Sequence, residues 1–375
     1  MTIISGYMFA SDREVVCLYS TVNRSWCRLY PMDMKENQTL APLTTFGIGG
    51  PARWFVEAGS ESEIVDAVAW AREREVALFV LGGGSNLLVS DAGFDGLVLH
   101  VGVKGIEQAD EVFRAGAGES WEHCVRRSTE AGYAGLECLA GIPGSVGGTP
   151  VQNVGAYGQE VASVIERVRA FDVKERAFVE LRNEECGFAY RRSRFNTVDR
   201  GRYIVTRVDY RLRAGGSPEL AYADLKLHFR DWVSAPSLIE VAAAVRGIRQ
   251  GKGMLIVEGD PDCRSAGSFF KNPSVGVDVA ERVRAYAESA GVALRVFPGA
   301  EGQVKIPAAW LIEQAGFKKG YAAGAAGISS RHTLALINRG GASAEEIRAL
   351  AGRIADGVEE RFGIRLEMEP VMVGY

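Results

Sequence analysis

The first 36 or so residues mix polar and apolar positions with neither a helical nor a strand period, and a regular pattern begins near Asn37. Thr44-Thr45-Phe46-Gly47-Ile48-Gly49-Gly50 leads into Ala52-Arg53-Trp54-Phe55-Val56, which reads as a strand. Ser60 and Glu63 form a capping box, and Ile64, Val65, Val68 and Ala71 then recur on one face, which predicts a helix over 61–75. The apolar run 76–81 ends in three glycines, the pattern of a buried strand opening into a loop. From 97 to 215 strand-like runs at 97–101, 164–173 and 203–212 dominate, separated by glycine-rich turns. One helix is expected there, over roughly 120–131, behind the N-cap Ser120. Beyond Leu238 helical periods return at 241–248, 279–289, 307–315 and 344–362, with a strand at 334–338 and a second capping box at Ser343 and Glu346. The segment 365–371 alternates like a strand and sets Glu367 and Glu369 on one face, where two like charges either shift a pKa or, the commoner outcome, line a solvated edge.

This pattern is α+β and divides the chain into a poorly ordered extension (1–36), a βαβ-like unit (37–96), a strand-rich unit (97–237), a helix-rich unit (238–363) and a closing strand (364–375). Composition narrows the function. With 43 Lys+Arg against 47 Asp+Glu the net charge is -4, so no global basic field exists to hold nucleic acid and an anionic ligand needs a local site. The six cysteines are scattered without a CxxC pair and read as reduced thiols, and the four histidines show no metal-ligand spacing, so no metal is expected. No apolar run approaches the ~20 residues of a membrane span, and the first 13 residues lack the layout of a signal peptide. A cytoplasmic protein acting on small molecules, away from membranes and nucleic acid, is the expectation.

Two glycine loops invite an anion. Gly82-Gly83-Gly84-Ser85-Asn86 follows a strand, where bare N–H groups can close on a pyrophosphate or simply make a tight turn. It lacks both the GK[ST] ending of a P-loop and the G-x-G-x-x-G helix start. Gly141-Ile142-Pro143-Gly144-Ser145-Val146-Gly147-Gly148-Thr149 is stiff yet open, and Gln152-Asn153-Val154-Gly155-Ala156-Tyr157-Gly158 adds amides and an aromatic face. Two such loops in one α/β chain favour a phosphate-rich cofactor. Tyr190-Arg191-Arg192-Ser193-Arg194-Phe195 suits either a carboxylate or phosphate ligand or a solvated turn. Ser268, between Gly267 and Phe269-Phe270, is either a hydroxyl donor or a loop cap, and no nearby histidine suggests a hydrolase triad.

In order along the chain, Thr45-Phe46-Gly47-Ile48-Gly49-Gly50, Gly84-Ser85-Asn86, Ile142-Pro143-Gly144, Asn153-x-Gly155-Ala156-Tyr157-Gly158, Tyr190-Arg191-x-Ser193-x-Phe195, Gly267-Ser268-Phe269-Phe270-x-Asn272-Pro273 and the terminal glutamate resemble the UDP-N-acetylenolpyruvoylglucosamine reductase family from about Asn37 onward. The resemblance implies an FAD-binding fold of the vanillyl-alcohol-oxidase (PCMH) type with a third α/β substrate-binding domain. Leu220-Ala221-Tyr222-Ala223-Asp224-Leu225 looks like the tyrosine-bearing segment of the family's longer branch. It further implies non-covalent FAD, NADPH as hydride donor in a ping-pong cycle, a UDP-sugar enolpyruvyl ether as substrate, and a monomer. By residue, it maps Arg191 onto the group that steadies charge at the substrate carboxylate, Ser268 onto the proton donor and Glu369 onto the catalytic glutamate. Cofactor contacts are implied for Gly82, Gly83, Gly84, Ser85, Asn86, Ile142, Pro143, Gly144, Ser145, Gly155, Ala156, Tyr157 and Arg249, and substrate contacts for Tyr190, Tyr222, Lys252 and Asn272. Where many members carry a proline-aspartate pair after the lysine, this chain reads Gly251-Lys252-Gly253-Met254. An oxidase of the same superfamily and a flavin-binding protein without turnover are the rival readings.

Overall fold

The computed structural model describes residues 32–299 and 302–375, and order starts earlier than Asn37: Met32 and Met34 pack on the core and strand β1 (Lys35–Thr39) begins at Lys35. The rest of the expected extension, with Cys17 and Cys27, lies outside the described residues. β1 pairs antiparallel with β2 (Pro51–Ala58), and the sheet runs β1-β2-β5-β3, with β3 (Leu78–Leu81) and β5 (Phe94–Val101) parallel to β2. Parallel neighbours need a crossover. Helix α1 (Glu61–Glu73) supplies it, capped as expected: Ser60 accepts from the Glu63 N–H, Glu63 reaches back, and Ile64, Ala67, Val68 and Ala71 are buried. Between β3 and β5 the chain makes the Gly82–Asn86 loop and the short strand β4 (Leu87–Val89).

The second sheet is antiparallel throughout, ordered β9-β8-β10-β7-β6, from β6 (Ile106–Ala109), β7 (Val112–Gly116), β8 (Ile165–Asp172), β9 (Ala177–Arg182) and β10 (Tyr203–Arg211). Helix α2 (Trp121–Glu130), with Ser120 accepting from His123 N, buries Trp121, Cys124 and Val125 against it. Short helix α3 (Ala223–His228) and helix α4 (Leu238–Gly251) follow. α4 buries Val241, Ala244 and Val245 in this same core, and β5 runs through position 101 in the first sheet. The boundary expected at 96 therefore falls inside β5 and the one at 237 parts α4 from the core it packs in, and we draw them after Val101 and Gly251.

The remaining unit holds α5 (Val277–Ser289), α6 (Ala308–Gln314), α7 (Ala344–Phe362) and the antiparallel strands β11 (Ala326–Ile328) and β12 (Leu336–Asn338). The stripe Ile347, Leu350, Ile354, Val358 and Phe362 of α7 is buried, and Phe46, Ile48 and Leu88 from the front of the chain join that core. Asp91 adds a bond from the first unit: its carboxylate accepts from Ala344 N at 2.8 Å and Glu345 N at 3.2 Å, at the positive end of the α7 dipole. Last comes β13 (Val371–Val373), parallel to β4 with Val371 opposite Leu87 and Val373 opposite Val89. The expected closing strand is thus shorter than 364–375, and it seats the end of the described chain beside the first glycine loop. Among the described residues no helix is long and apolar enough to cross a membrane.

Candidate active site

The two glycine loops face each other. Gly83 N donates to Ser145 Oγ at 3.1 Å, and a Cβ at Gly83 would fall 2.5 Å from Gly144 Cα and 2.6 Å from Ser145 N. At Gly84 (φ +63°) a Cβ would lie 1.8 Å from the Leu43 carbonyl oxygen, and at Gly144 (φ +131°) 2.8 Å from Ser85 Oγ. Only glycine fits these places, and the result is a surface of bare backbone between two loops, a form that suits phosphates. Ile142 and Pro143 stand half-buried in the second loop. A cavity of about 770 Å³ opens from Gly82 and Gly83 past Thr45, Arg264 and Asn338 but does not reach Arg191, Ser268 or Glu369. Thr45 Oγ1 donates to the Ser265 carbonyl at 2.5 Å, which ties the front of the chain to the segment that carries Ser268.

Arg191 and Glu369, 178 positions apart, meet: Nε lies 3.1 Å from Glu369 Oε1, with side chains 22% and 13% exposed. Arg191 also donates to the Gly155 carbonyl at 2.9 Å, and Asn196 donates to the Arg191 carbonyl at 3.2 Å. Arg192 is exposed and Arg194 is spent on Asp199 at 2.6 Å, so only the first of the three arginines serves the site. Asn153 (φ +44°), Tyr157 (φ +49°) and Arg191 (φ +55°) hold left-handed backbones without being glycine. Such strain persists only where the surroundings over-determine it. Here buried Asn153 does so, donating to Glu160 Oε2 at 2.9 Å and the Ala189 carbonyl at 3.0 Å while accepting from Ala162 N at 3.1 Å.

Glu369 is held by its backbone. Its N–H donates to the Phe269 carbonyl at 2.9 Å, its carbonyl accepts from Asn86 Nδ2 at 3.2 Å, and Val371 N donates to the Asn86 carbonyl at 2.9 Å. Phe270 pairs with Met368 and Lys271 N donates to the Glu367 carbonyl, so half-buried Ser268 sits one residue beyond the position that faces Glu369. Burial pushes the Glu369 carboxyl above its usual range, against the pull of Arg191 and Lys271. Of the two readings of this pair, the solvated edge holds for Glu367, whose side chain is 73% exposed and paired with Lys271, and like charge is the smallest of the influences on Glu369. Tyr190 lies beside Arg191 with Lys305 Nζ 3.8 Å from its ring centroid, and its hydroxyl, pushed up by burial, is hydrogen-bonded to Asn272. Asn272 also caps the start of α6 through Ala308 N at 2.9 Å.

A third group stands on the other side of the Gly155–Gly158 turn. The Tyr157 and Tyr222 rings meet edge to face at 5.3 Å, Lys252 Nζ lies 5.5 Å from the Tyr157 ring centroid, and Lys252 pairs with Asp224 at 2.6 Å. Buried Arg249 donates to the carbonyls of Gly141 at 3.0 Å and Met254 at 2.9 Å and hydrogen-bonds Tyr157, so it braces the second glycine loop from behind. His332 is held neutral: burial, then Lys252, Lys319 and Arg249, push its imidazole down to about 4, and its Nδ1 accepts from Leu334 N at 3.1 Å. Sequence reasoning missed Lys305, Asp224 and His332. Asp224 stood inside a quoted motif, whereas Lys305 and His332 carry no local signal because only the tertiary fold brings them here. Among the described residues no cluster of three or more potential metal ligands forms, and Cys124, Cys138, Cys186 and Cys263 are free thiols.

Comparison with known proteins gives the following. Residues 260–373 match the family model of the UDP-N-acetylenolpyruvoylglucosamine reductase C-terminal domain, and residues 52–177 match that of an FAD binding domain. A UDP-N-acetylenolpyruvoylglucosamine reductase of Streptomyces coelicolor is 45% identical over 354 residues, covering 92% of each chain. One from Nocardia farcinica is 46% identical over 351 residues, covering 91% of this chain and 90% of its own. The crystal structure of the reductase of that name from Thermus caldophilus superposes with a TM-score of 0.62 at 28% identity, over 91% of this chain and 98% of that one.

Proposed function

The chain belongs to the UDP-N-acetylenolpyruvoylglucosamine reductase family, and from that premise we propose how its own residues carry out the reaction. The protein is an FAD oxidoreductase that reduces the enolpyruvyl ether of UDP-N-acetylglucosamine, a step in the synthesis of peptidoglycan precursors. NADPH is the hydride donor in this reading, and the enzyme works as a cytoplasmic monomer.

The Gly82–Asn86 and Gly141–Ser145 loops would hold the FAD diphosphate, since their glycines pack backbone against backbone with no room for side chains and the cavity opens beside Gly82 and Gly83. Gly155, Ala156 and Tyr157 would meet the flavin end, with Arg249 supporting both segments. When bound, FAD supplies the two-electron chemistry that passes hydride from nicotinamide to the enol ether.

The observation that carries the role assignment is the Arg191–Glu369 pair at 3.1 Å, set one residue along from the position opposite Ser268. As hydride arrives, negative charge spreads into the substrate carboxylate, and a guanidinium fixed by Gly155 and Glu369 stabilises it without reorganising. The Ser268 hydroxyl delivers the proton to the adjacent carbon. A hydroxyl is a weak acid, so this needs close placement, for which the 268–271 segment is pinned against 367–369. Glu369, with its carboxyl raised by burial, keeps Arg191 aimed and is placed to share the proton. Tyr190 belongs to the carboxylate end, while Tyr222, Lys252 and Asn272 would meet the uridine diphosphate or the nicotinamide nucleotide, Asn272 reaching Tyr190 by a hydrogen bond.

An anaerobic half-reaction series tests this reading. NADPH should bleach the visible flavin absorbance, and the enolpyruvyl UDP-sugar should then restore it. A flavin that stays reduced after substrate is added rules the assignment out.

A further inference from the structure

Glu137 is a carboxylate with no exposed surface, and nothing above uses it. It opens the one-turn helix Glu137–Leu139, just before the second glycine loop. A carboxylate is acceptor-only when ionised, and all three of its partners are N–H donors. Oε2 accepts from Gly135 N at 2.7 Å, within its own turn. Oε1 accepts from two directions, Gln159 Nε2 at 2.7 Å and Glu219 N at 3.0 Å. Gln159 lies two residues past Tyr157 and also accepts from Cys138 N at 2.9 Å. Glu219 lies three residues before Tyr222; its carbonyl accepts from Cys138 Sγ at 3.2 Å and its side chain accepts from Ala221 N at 3.0 Å.

Residues 217–221 belong to no helix or strand, and among the described residues the hydrogen bonds tying them to the body of the protein run to Glu137 and Cys138. One oxygen is therefore the joint between the turn that presents Tyr157 and the segment that presents Tyr222, whose rings touch at 5.3 Å and flank Lys252.

We infer that Glu137 is a positioning residue for the nucleoside-diphosphate end of the substrate, holding Tyr222 at a fixed spacing against Tyr157 so that Tyr222 and Lys252, backed by Tyr157, meet the ligand as one preformed wall. The inference rests on the reading of Tyr222 and Lys252 as substrate contacts. A preformed wall strengthens binding because ordering the 217–221 segment no longer opposes it.

The test uses full-length holoenzyme with UDP as probe. In Glu137→Gln the amide NH2 faces Gly135 N if the oxygen stays on Gln159 and Glu219, and faces those two donors if it does not; in the first case a neutral oxygen replaces a charge-assisted acceptor and in the second the acceptor is lost, so the Glu219 tether loosens in both. UDP affinity by calorimetry and KM for the UDP-sugar should each weaken by about tenfold, the loss of roughly one hydrogen bond to a charged group. FAD content and kcat at saturating substrate should stay within about twofold of wild type. The exchange Glu137→Gln with Gln159→Glu restores an amide-carboxylate pair between the two side chains but leaves an amide NH2 against Glu219 N. Its melting temperature should recover while UDP affinity stays weak, which separates positioning from bulk stability. Unchanged UDP affinity in Glu137→Gln, affinity that returns together with melting temperature in the exchange variant, or FAD lost in step with UDP affinity would each overturn the inference. Wild-type protein that fails to bind UDP would remove the underlying reading of Tyr222 and Lys252 and this inference with it.

Discussion

Replacing Arg191 by alanine takes away the cation that faces Glu369 at 3.1 Å, in a place where only 22% and 13% of the two side chains are exposed. At an effective dielectric of about 20, unit charges ~3 Å apart interact by roughly 5 kcal/mol, and breaking a buried pair from one side costs roughly 3–5 kcal/mol. Glu369 can relieve that cost by taking up a proton, because burial already raises its pKa and Arg191 is the largest opposing influence. In the variant its folded pKa therefore lies further above the unfolded value. A carboxyl of that kind contributes full stability below its unfolded pKa and loses it as pH rises through the folded one. The melting-temperature gap between wild type and Arg191→Ala should accordingly be small near pH 5 and widen toward pH 8. Arg191→Gly removes the same cation but accepts the +55° φ angle without strain, so it should be more stable than alanine by roughly 1 kcal/mol. Both variants should keep FAD and lose about 10²–10³-fold or more in kcat, the size of a lost electrostatic stabiliser. Calorimetry from pH 5 to 8, with flavin absorbance recorded on the same samples, checks the argument. A gap that stays level or narrows with rising pH would refute the coupled-pair reasoning, and released flavin would make Arg191 a cofactor residue.

Three further outcomes are expected. Ser268→Ala should leave bleaching by NADPH largely intact and slow reoxidation by the enolpyruvyl substrate by orders of magnitude; equal damage to both half-reactions in stopped flow would count against a donor hydroxyl. Gly83→Ala places a methyl 2.5 Å from Gly144 Cα, a backbone atom that cannot swing aside, so the purified protein should be colourless and stay so with added FAD. His332, depressed to about 4 from 6.5, contributes stability that is present above about pH 6.5 and lost as pH falls toward 4; between pH 7.5 and 5.5 wild type should lose about 1.4 kcal/mol that His332→Gln keeps, measured by urea unfolding.

Much of the frame was legible because local physics decides it. The capping boxes at Ser60–Glu63 and Ser343–Glu346 and the apolar stripe of α7 are statements about neighbours three and four residues apart, and the structure reproduces them. The Ser237–Glu240 box was equally readable, and overlooking it put the start of α4 three residues late. β1 was not legible: Lys35-Glu36-Asn37-Gln38-Thr39 is a mostly exposed edge strand of poor strand formers, present only because β2 offers it hydrogen bonds. At the site, the motifs named Arg191, Glu369, Tyr157 and Tyr222 but not how they meet. The burial of Glu369 was not legible, because a period-2 pattern reports which face a residue occupies and not how far it stands from water, and burial proved the largest influence on that carboxyl.

The clasp of Asn86 around Glu369 joins positions 283 residues apart. During synthesis both glycine loops and the arginine leave the ribosome well before the glutamate does, so a nascent chain can assemble its dinucleotide pocket while the carboxylate that steadies the guanidinium does not yet exist. If Glu369 plays the part proposed for it, reductive chemistry waits until β13 has paired with β4, and a change that disturbs residues 369–373 should leave a protein that is yellow but inert.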